Sequence, residues 1–391
     1  MNEAALPMNR LKLSDKRFII LIISITVSGF SQGLLLPLLS VLLEKQGVSA
    51  SFNGLSATAL YVGIMVASPF MEAPTRKYGF KTMIIFGMVL LISSILLFPI
   101  FVNFYFWILL RFIVGIGDTA IHFATQVWIT STIESGKRGR SISLYGLSYG
   151  VGFGIGPLGL LVLPYGLFVP FIIAALFFVL ILFLILKLTN EKPVSEEKNT
   201  AKTRYFRVFA LAGFALMPMF IYGFLEATLN NSFPIYGLRT GITEAQVSTL
   251  LFSFVVGSLI LQFPLGYLSD YIGRKKVLII TTLLGGALFF FVPYIVTIIQ
   301  LYIVFIATGA LLGSLYSLGL AYVTDLVPVG ILPTANIIGG ILFGVGSIIG
   351  PYFGGVIITW LNPESLFVYL AVVVLLFPLL ISLDTLLRRK P

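Results

Sequence analysis

Residues 18–43 read FIILIISITVSGFSQGLLLPLLSVLL, an apolar run without one charged side chain. About 20 mostly apolar residues suffice for a helix to cross a bilayer, so this stretch alone is long enough. Strands of a membrane barrel alternate in hydropathy over about ten residues, and Ile19-Ile20-Leu21-Ile22-Ile23 does not alternate. A helix also satisfies its own backbone where water cannot. Arg10, Lys12, Lys16 and Arg17 precede the run as they would a secretory signal. The run is too long for a signal core, however, and no small-x-small cleavage site follows it. It reads as an uncleaved first span. Runs of the same kind follow at 52–72, 82–102, 104–132, 141–163, 167–188, 207–236, 246–268, 277–297, 300–325, 334–359 and 365–386. The pair from 82 to 132 is divided only by Asn103. The expected fold is an all-α membrane protein with twelve transmembrane helices.

Of the 391 residues, 58% are hydrophobic and 10% charged, with a mean hydropathy of +1.05. A soluble domain carries about 25% charged residues, so this chain lacks the polar surface of a water-soluble globule. It is also too apolar for disorder. With no cysteine, disulfides and thiolate-held zinc or iron–sulfur sites are excluded. His122 is the single histidine, which excludes multi-histidine metal centres. No metal, no cofactor and no enzymatic activity is expected. The net charge of +10 invites a nucleic-acid reading, but that needs a basic stripe on a solvated face. Here the cations cluster in short segments between apolar runs. Of the 25 Lys and Arg, Lys45 and Arg239 fall on one side and Arg111 lies within a run, leaving 22 on the other. That asymmetry predicts both termini in the cytoplasm. Short loops without targeting segments suit a bacterial inner membrane, and no Gly-x-x-x-x-Gly-Lys-Ser/Thr loop points to ATP as the drive.

The most polar stretch, NEKPVSEEKNTAKTR at 190–204, falls between the sixth and seventh runs. A charged linker at the midpoint predicts two pseudo-symmetric six-helix bundles (6+6). They would comprise residues 1–189 and 207–391, joined by a cytoplasmic linker at 190–206. Internal repeats agree. Gly152-x-x-x-Gly156-Pro157 returns as Gly346-x-x-x-Gly350-Pro351, and RKYGFK at 76–81 returns as DYIGRK at 270–275, both at an offset of 194.

The segment Gly266-Tyr-Leu-Ser-Asp270-Tyr-Ile-Gly273-Arg274-Lys275 resembles a loop signature of the major facilitator superfamily, Gly-x-Leu-Ala/Ser-Asp-Arg/Lys-x-Gly-Arg/Lys-Arg/Lys. Tyr271 stands where a basic residue is usual. The first-half copy departs from it, with Glu72 for the glycine and Arg76 for the aspartate. Arg111 resembles the family's span-4 arginine. Gly346-Ser-Ile-Ile-Gly350-Pro351-Tyr-Phe-Gly354-Gly355 has the form of the family's antiporter signature, which normally lies in span 5. In span 5 itself, Gly152 to Gly159 lacks the closing double glycine. The resemblance covers the whole chain. It implies a secondary transporter working by alternating access, similar to the drug/proton antiporter branch. It also implies a gate latch, in which Asp270 and Arg274 turn at Gly273 and Asp270 faces the amino end of span 5 near Ser141. Glu134 is then a partner for the basic residues. The plain alternative is an exposed ion pair contributing less than about 1 kcal/mol. Without its aspartate, the first-half latch should be weaker or differently built.

Small residues four apart flatten a helix face. Gly152, Gly156, Gly346 and Gly350 therefore read either as tight packing of spans 5 and 11 on a neighbour or as a sliding interface between the halves. In the second case Pro157 and Pro351 would kink the helices. Arg111, Asp118 and His122, seven and four residues apart, lie within about 40° on one face of span 4. Charges near the bilayer midplane cost several kcal/mol unless paired or wetted, so this strip is expected to face a central cavity. The alternative is a static ion pair. Asp118 would neutralise Arg111 or shuttle a proton, and His122 would bond Asp118 or titrate. Glu226, followed by Asn230, Asn231 and Pro234, breaks an apolar run at the depth where transporters place sites in interrupted helices. A carboxyl in a low-dielectric cavity can take a proton from water, so Glu226 ranks first for proton coupling and Asp118 second. Lining candidates besides Asn230 and Asn231 are Gln32, Tyr145, Tyr149, Tyr222, Gln262, Asn336 and Tyr316, the last lying 194 after His122.

The expected activity is efflux of an amphipathic or hydrophobic small molecule in exchange for protons. The partners would be that substrate, protons and the lipid bilayer, with no nucleic acid and a monomeric chain. A carrier of a polar metabolite (sugar, organic acid or siderophore), a lipid flippase and a non-transporting sensor are the alternatives.

Overall fold

The computed structural model describes residues 8–132, 138–193 and 203–387. Among these residues there is no strand, and twelve helices are long and apolar enough to cross a membrane. Numbered as spans 1 to 12, they are Lys16–Lys45, Ala50–Phe70, Phe80–Leu97, Phe104–Thr132, Ser141–Tyr165, Phe168–Leu186, Tyr205–Arg239, Glu244–Ile272, Arg274–Tyr294, Ile298–Leu326, Leu332–Trp360 and Ser365–Ser382. Span 6 shows why these helices need lipid. Phe171, Ala174, Phe178, Ile181 and Ile185 form its buried stripe, while Ile172, Leu176, Leu180 and Phe183 are exposed on another face. A helix apolar all round is stable only where both faces avoid water.

The ends of the spans follow from local chemistry. Asn103, the soft boundary, separates spans 3 and 4 because its side chain accepts from the Phe106 N–H at 3.1 Å. Capping boxes Thr243/Gln246 and Thr297/Gln300 start spans 8 and 10. Four of the turns use glycine in the left-handed region: Gly47 (φ 76°) matches Gly241 (83°), and Gly79 (90°) matches Gly273 (97°). Both pairs are 194 apart, so the duplication is written in the backbone as well as in the sequence.

Three spans depart from regular expectation. Span 5 is α-helical to Ile155, then tightens into a 3-10 helix over Gly156–Tyr165. Such a long 3-10 run is uncommon, and Pro157 and Pro164 each remove a donor from it. Pro351 causes no comparable change, since span 11 is helical from Leu332 to Trp360. The expected interruption around Glu226 does not occur. Span 7 runs as helix through Glu226, Asn230, Asn231 and Pro234, and its one non-helical residue is Ala212 (φ −134°, ψ 20°). The interrupted helix is span 10, which stops at Leu312 and restarts at Leu315 across Gly313 and Ser314.

The chain divides into two compact units, Met1–Leu35 with Val62–Glu196, and Leu36–Tyr61 with Glu197–Pro391. In the first, Phe98 packs edge-on against Trp107 at 5.9 Å and stacks with Phe171 at 6.0 Å, joining spans 3, 4 and 6. Span 5 lies directly on span 1. A Cβ on Gly152 would strike Thr26 O, one on Gly156 the Gly33–Leu34 backbone, and one on Gly29 Tyr149 O. In the second unit, Phe233, Phe289, Phe305 and Phe367 from spans 7, 9, 10 and 12 form an aromatic core, with Phe233 and Phe305 centroids 4.7 Å apart. Span 11 lies on span 7, where Gly346 and Gly350 meet the Phe220 and Phe224 backbones. Gly152 and Gly156 thus pack span 5 against span 1, and Gly346 and Gly350 pack span 11 against span 7.

Residues 36–61 join the second unit through close backbone contacts. Gly54 backs onto Pro351 O and Gly355 onto Ala50 O. Thr58 donates to Ile348 O at 3.0 Å and Ser40 to Asn231 O at 2.5 Å. Asn53 Nδ2 donates to Ser40 O at 2.9 Å.

Candidate functional site

In the first unit, the one-face spacing of span 4 brings Asp118 and His122 together. His122 Nε2 lies 3.7 Å from Asp118 Oδ1, an oxygen that also accepts from Ser28 of span 1. His122 Nδ1 and the Tyr145 hydroxyl are 2.6 Å apart. The Tyr149 ring meets the imidazole edge-on at 5.0 Å, and its hydroxyl donates to Gln32 Oε1. Spans 1, 4 and 5 therefore supply one polar cluster: Ser28, Gln32, Asp118, His122, Tyr145 and Tyr149. Asp118 and Gln32 are each 6% exposed, and Arg111 is 3% exposed farther along span 4. Gly115 is buried on the same strip, whereas Gln126 is exposed.

In the second unit, Tyr222 and Glu226 lie one turn apart on span 7. Tyr222 lies 6.5 Å from Tyr316 and 6.1 Å from Phe343, ring to ring, and Tyr316 meets Phe343 edge-on at 5.7 Å. Half-buried Glu226 thus lies one turn from a ring of span 7 that neighbours rings of spans 10 and 11. Asn230 turns inward along its own helix, donating to Glu226 O at 2.9 Å. Asn231 is wholly buried, its carbonyl held by Ser40, so it is part of the packing and lines no open surface. Gln262, half-buried on span 8, and Asn336, exposed on span 11, make none of the contacts of either cluster.

Ser28 and Phe343 went unforeseen, yet the repeat offset finds both. It carries Ser28 to Tyr222, Gln32 to Glu226, His122 to Tyr316 and Tyr149 to Phe343. Each unit has built its cluster on equivalent positions with different chemistry.

At the basic loops, Arg274 does more than pair with Asp270. It reaches Asp270 at 3.2 Å and also donates to Ala321 O at 2.7 Å and to Asp325, clamping the turn at Gly273 to the end of span 10. Asp270 itself is largely exposed. Glu134, the expected partner for the basic residues, lies outside the described residues. The first-half loop is differently built. Arg76 pairs with Glu72 at 2.5 Å, and the start of the linker takes over the tie. Asn190 Nδ2 donates to Tyr78 O at 2.7 Å, and Asn190 Oδ1 accepts from the Lys81 N–H at 3.1 Å. Glu191 accepts from Arg17 at 2.5 Å and from the Trp128 indole at 2.8 Å.

At the opposite end of the second unit, Lys45 and Arg239 are both engaged. Arg239 makes a two-pronged bond to Glu44 (2.7 and 3.1 Å), and Lys45 pairs with Glu244. Together with Ser40, Asn53 and Thr58, these four charges clasp the ends of spans 1 and 2 to spans 7, 8 and 11.

Comparison with known proteins places this geometry among transporters. A family model described as Major Facilitator Superfamily matches residues 21–237 and 215–391. A Bacillus subtilis protein described as an uncharacterized MFS-type transporter, YfkF, is 42% identical over 368 residues, covering 92% of this chain and 93% of that protein. Multidrug resistance protein 2 of Bacillus subtilis is 23% identical over 286 residues, covering 70% of this chain and 72% of the other. The fold is similar to that of a mutant of the nucleoside transporter NupG, with a TM-score of 0.76 at 14% identity, covering 93% of this chain and 98% of that one.

Proposed function

This chain is a membrane transporter of the Major Facilitator Superfamily, and from that premise we propose that it is a proton-coupled antiporter exporting an amphipathic or hydrophobic small molecule by alternating access. It would do so from a bacterial cell membrane, with both termini in the cytoplasm. Glu226 carries this reading: a half-buried carboxylate one turn from Tyr222, whose ring neighbours those of Tyr316 and Phe343. Ionised, it attracts the polar end of a substrate whose apolar body rests on those rings. Protonated, it loses that attraction. Proton and substrate then compete for one site, which is the condition for exchange. The 23% identity to a protein named for multidrug resistance supports the choice of substrate class.

The test is transport in proteoliposomes with an imposed pH gradient and ethidium as the fluorescent probe. Glu226→Gln should abolish gradient-driven movement while leaving passive equilibration. Undiminished coupled flux in that variant would remove Glu226 from the mechanism. The bonded Gln32–Tyr149 and His122–Tyr145 pairs favour a second reading, a carrier of a polar metabolite. Thermal stabilisation by sugars or organic acids, but not by ethidium, would select it.

A further inference from the structure

The antiporter reading leaves open how a proton is felt by side chains other than Glu226. We infer that Tyr145 is the residue through which protonation of His122 changes what the first-unit cluster accepts. The inference rests on the antiporter reading for its use, but not for its test.

The groups facing His122 are few. Its own span supplies Asp118, with Arg111 farther along. Span 5 supplies Tyr145 and Tyr149, and span 1 the neutral Ser28 and Gln32. A neutral imidazole has one donor nitrogen and one acceptor. Asp118 Oδ1 lies 3.7 Å from Nε2, too far for a hydrogen bond, but its negative charge favours the proton on that nitrogen, and Nδ1 is left to accept. The Tyr145 hydroxyl, 2.6 Å away, therefore donates to Nδ1, and its oxygen keeps lone pairs for an N–H or O–H of the substrate. Adding a proton makes both ring nitrogens donors. Nδ1–H then donates to the Tyr145 oxygen, and the phenolic hydrogen must swing away. Its other nearby acceptor, His122 O, is 3.5 Å distant, too long to hold it firmly. The freed hydrogen points where the substrate's donor had been bound, and two donors repel. One proton on His122 reverses the sense of one hydrogen bond. The cluster thereby selects a substrate bearing an amine, amide or hydroxyl donor when neutral, and rejects it when charged.

Because His122 is the only histidine in the chain, ¹⁵N-histidine labelling of protein purified through a histidine-free tag gives one pair of ring nitrogen resonances in nanodiscs. At alkaline pH the neutral ring should show the Nε2–H tautomer, with Nδ1 displaced by its bond to Tyr145. In Tyr145→Phe the tautomer should persist and the Nδ1 displacement vanish. In Asp118→Asn the tautomer preference should give way to a mixture. An Nδ1–H tautomer in the parent protein, or an Nδ1 resonance indifferent to Tyr145→Phe, overturns the proposal. The expected resonance pattern without any proton-driven ethidium flux would count against the antiporter reading alone.

Discussion

Glu44→Gln should loosen the end of the second unit where Lys45 and Arg239 lie. The carboxylate meets Arg239 Nε at 2.7 Å and Nη2 at 3.1 Å, with side-chain exposures of 15% for Glu44 and 32% for Arg239. A hydrogen bond to a charged group contributes about 1.5–3 kcal/mol, and an exposed ion pair about 0.2–1 kcal/mol. This pair is two-pronged and mostly covered but open to water on the arginine side, so about 1–2 kcal/mol is its share. Since about 1.4 kcal/mol is tenfold in an equilibrium constant, the substitution should raise the separated population about 5- to 30-fold. Lys45–Glu244, with Lys45 half exposed, should matter less. Ser40 provides the reporter, because it is wholly buried and donates to Asn231 O across the same contact. The chain contains no cysteine, so Ser40→Cys is the only thiol. When closing is faster than modification, its maleimide reaction rate in nanodiscs measures the open fraction. Glu44→Gln should accelerate that reaction by the same factor, and the exchange Glu44→Arg with Arg239→Glu should restore it. A change below about two-fold, with the fold intact, would refute the reasoning and leave the glycine contacts as what holds this end.

Gly152→Ala and Gly346→Ala push a methyl group into Thr26 O and Phe220 O, whereas a Cβ at Gly146 meets nothing. The first two should cost about 1–3 kcal/mol through overpacking and lower the melting temperature in detergent, while Gly146→Ala should not; equal effects would reject the close-approach reading. Asp325→Asn should speed backbone hydrogen exchange around 321–327, because Arg274 fastens the turn to that segment. Asp270→Asn should do so less, since Asp270 is largely exposed; the reverse order would show that the clamp does not rest on span 10.

The fold was legible because hydropathy over about 20 residues is a local property and a bilayer imposes its length. The run expected at 104–132 is span 4 to the residue, and the other expected ends fall within a few positions of those observed. The strip on span 4 was legible for the same reason, as helical spacing alone puts Asp118 beside His122. What escaped were contacts made at a distance along the chain. Nothing in a sequence window ties Glu191 to Arg17, 174 residues away, or Glu44 to Arg239, 195 away. Lys45 and Arg239 stood out as the two cations on their side, but a cation count sets orientation and is blind to partners. The glycine strips announced a close approach without saying to which helix. The polar residues of span 7 point to an interruption there. In fact Asn230 satisfies its side chain on its own helix, and the break falls at Gly313–Ser314, where the surrounding sequence is bland.

The offset of 194 separates what the duplication had to keep from what it was free to change. Gly29 approaches Tyr149 O as Gly223 approaches Phe343 O, and Gly152 meets Thr26 O as Gly346 meets Phe220 O. Each of these pairs, and each backbone oxygen it touches, is related by the same offset. Glycine is required wherever the main chain turns left-handed or a neighbouring backbone comes within reach, and no other side chain relieves that demand. At the clusters the demand is chemical, and there the copies differ: an amide at Gln32 against a carboxylate at Glu226, an imidazole at His122 against a phenol at Tyr316. A two-fold copy with identical groups would read one ligand twice with the same affinity. Unlike groups on a common frame give each cluster its own hydrogen-bonding and charge chemistry, so a substitution in one need not be matched in the other.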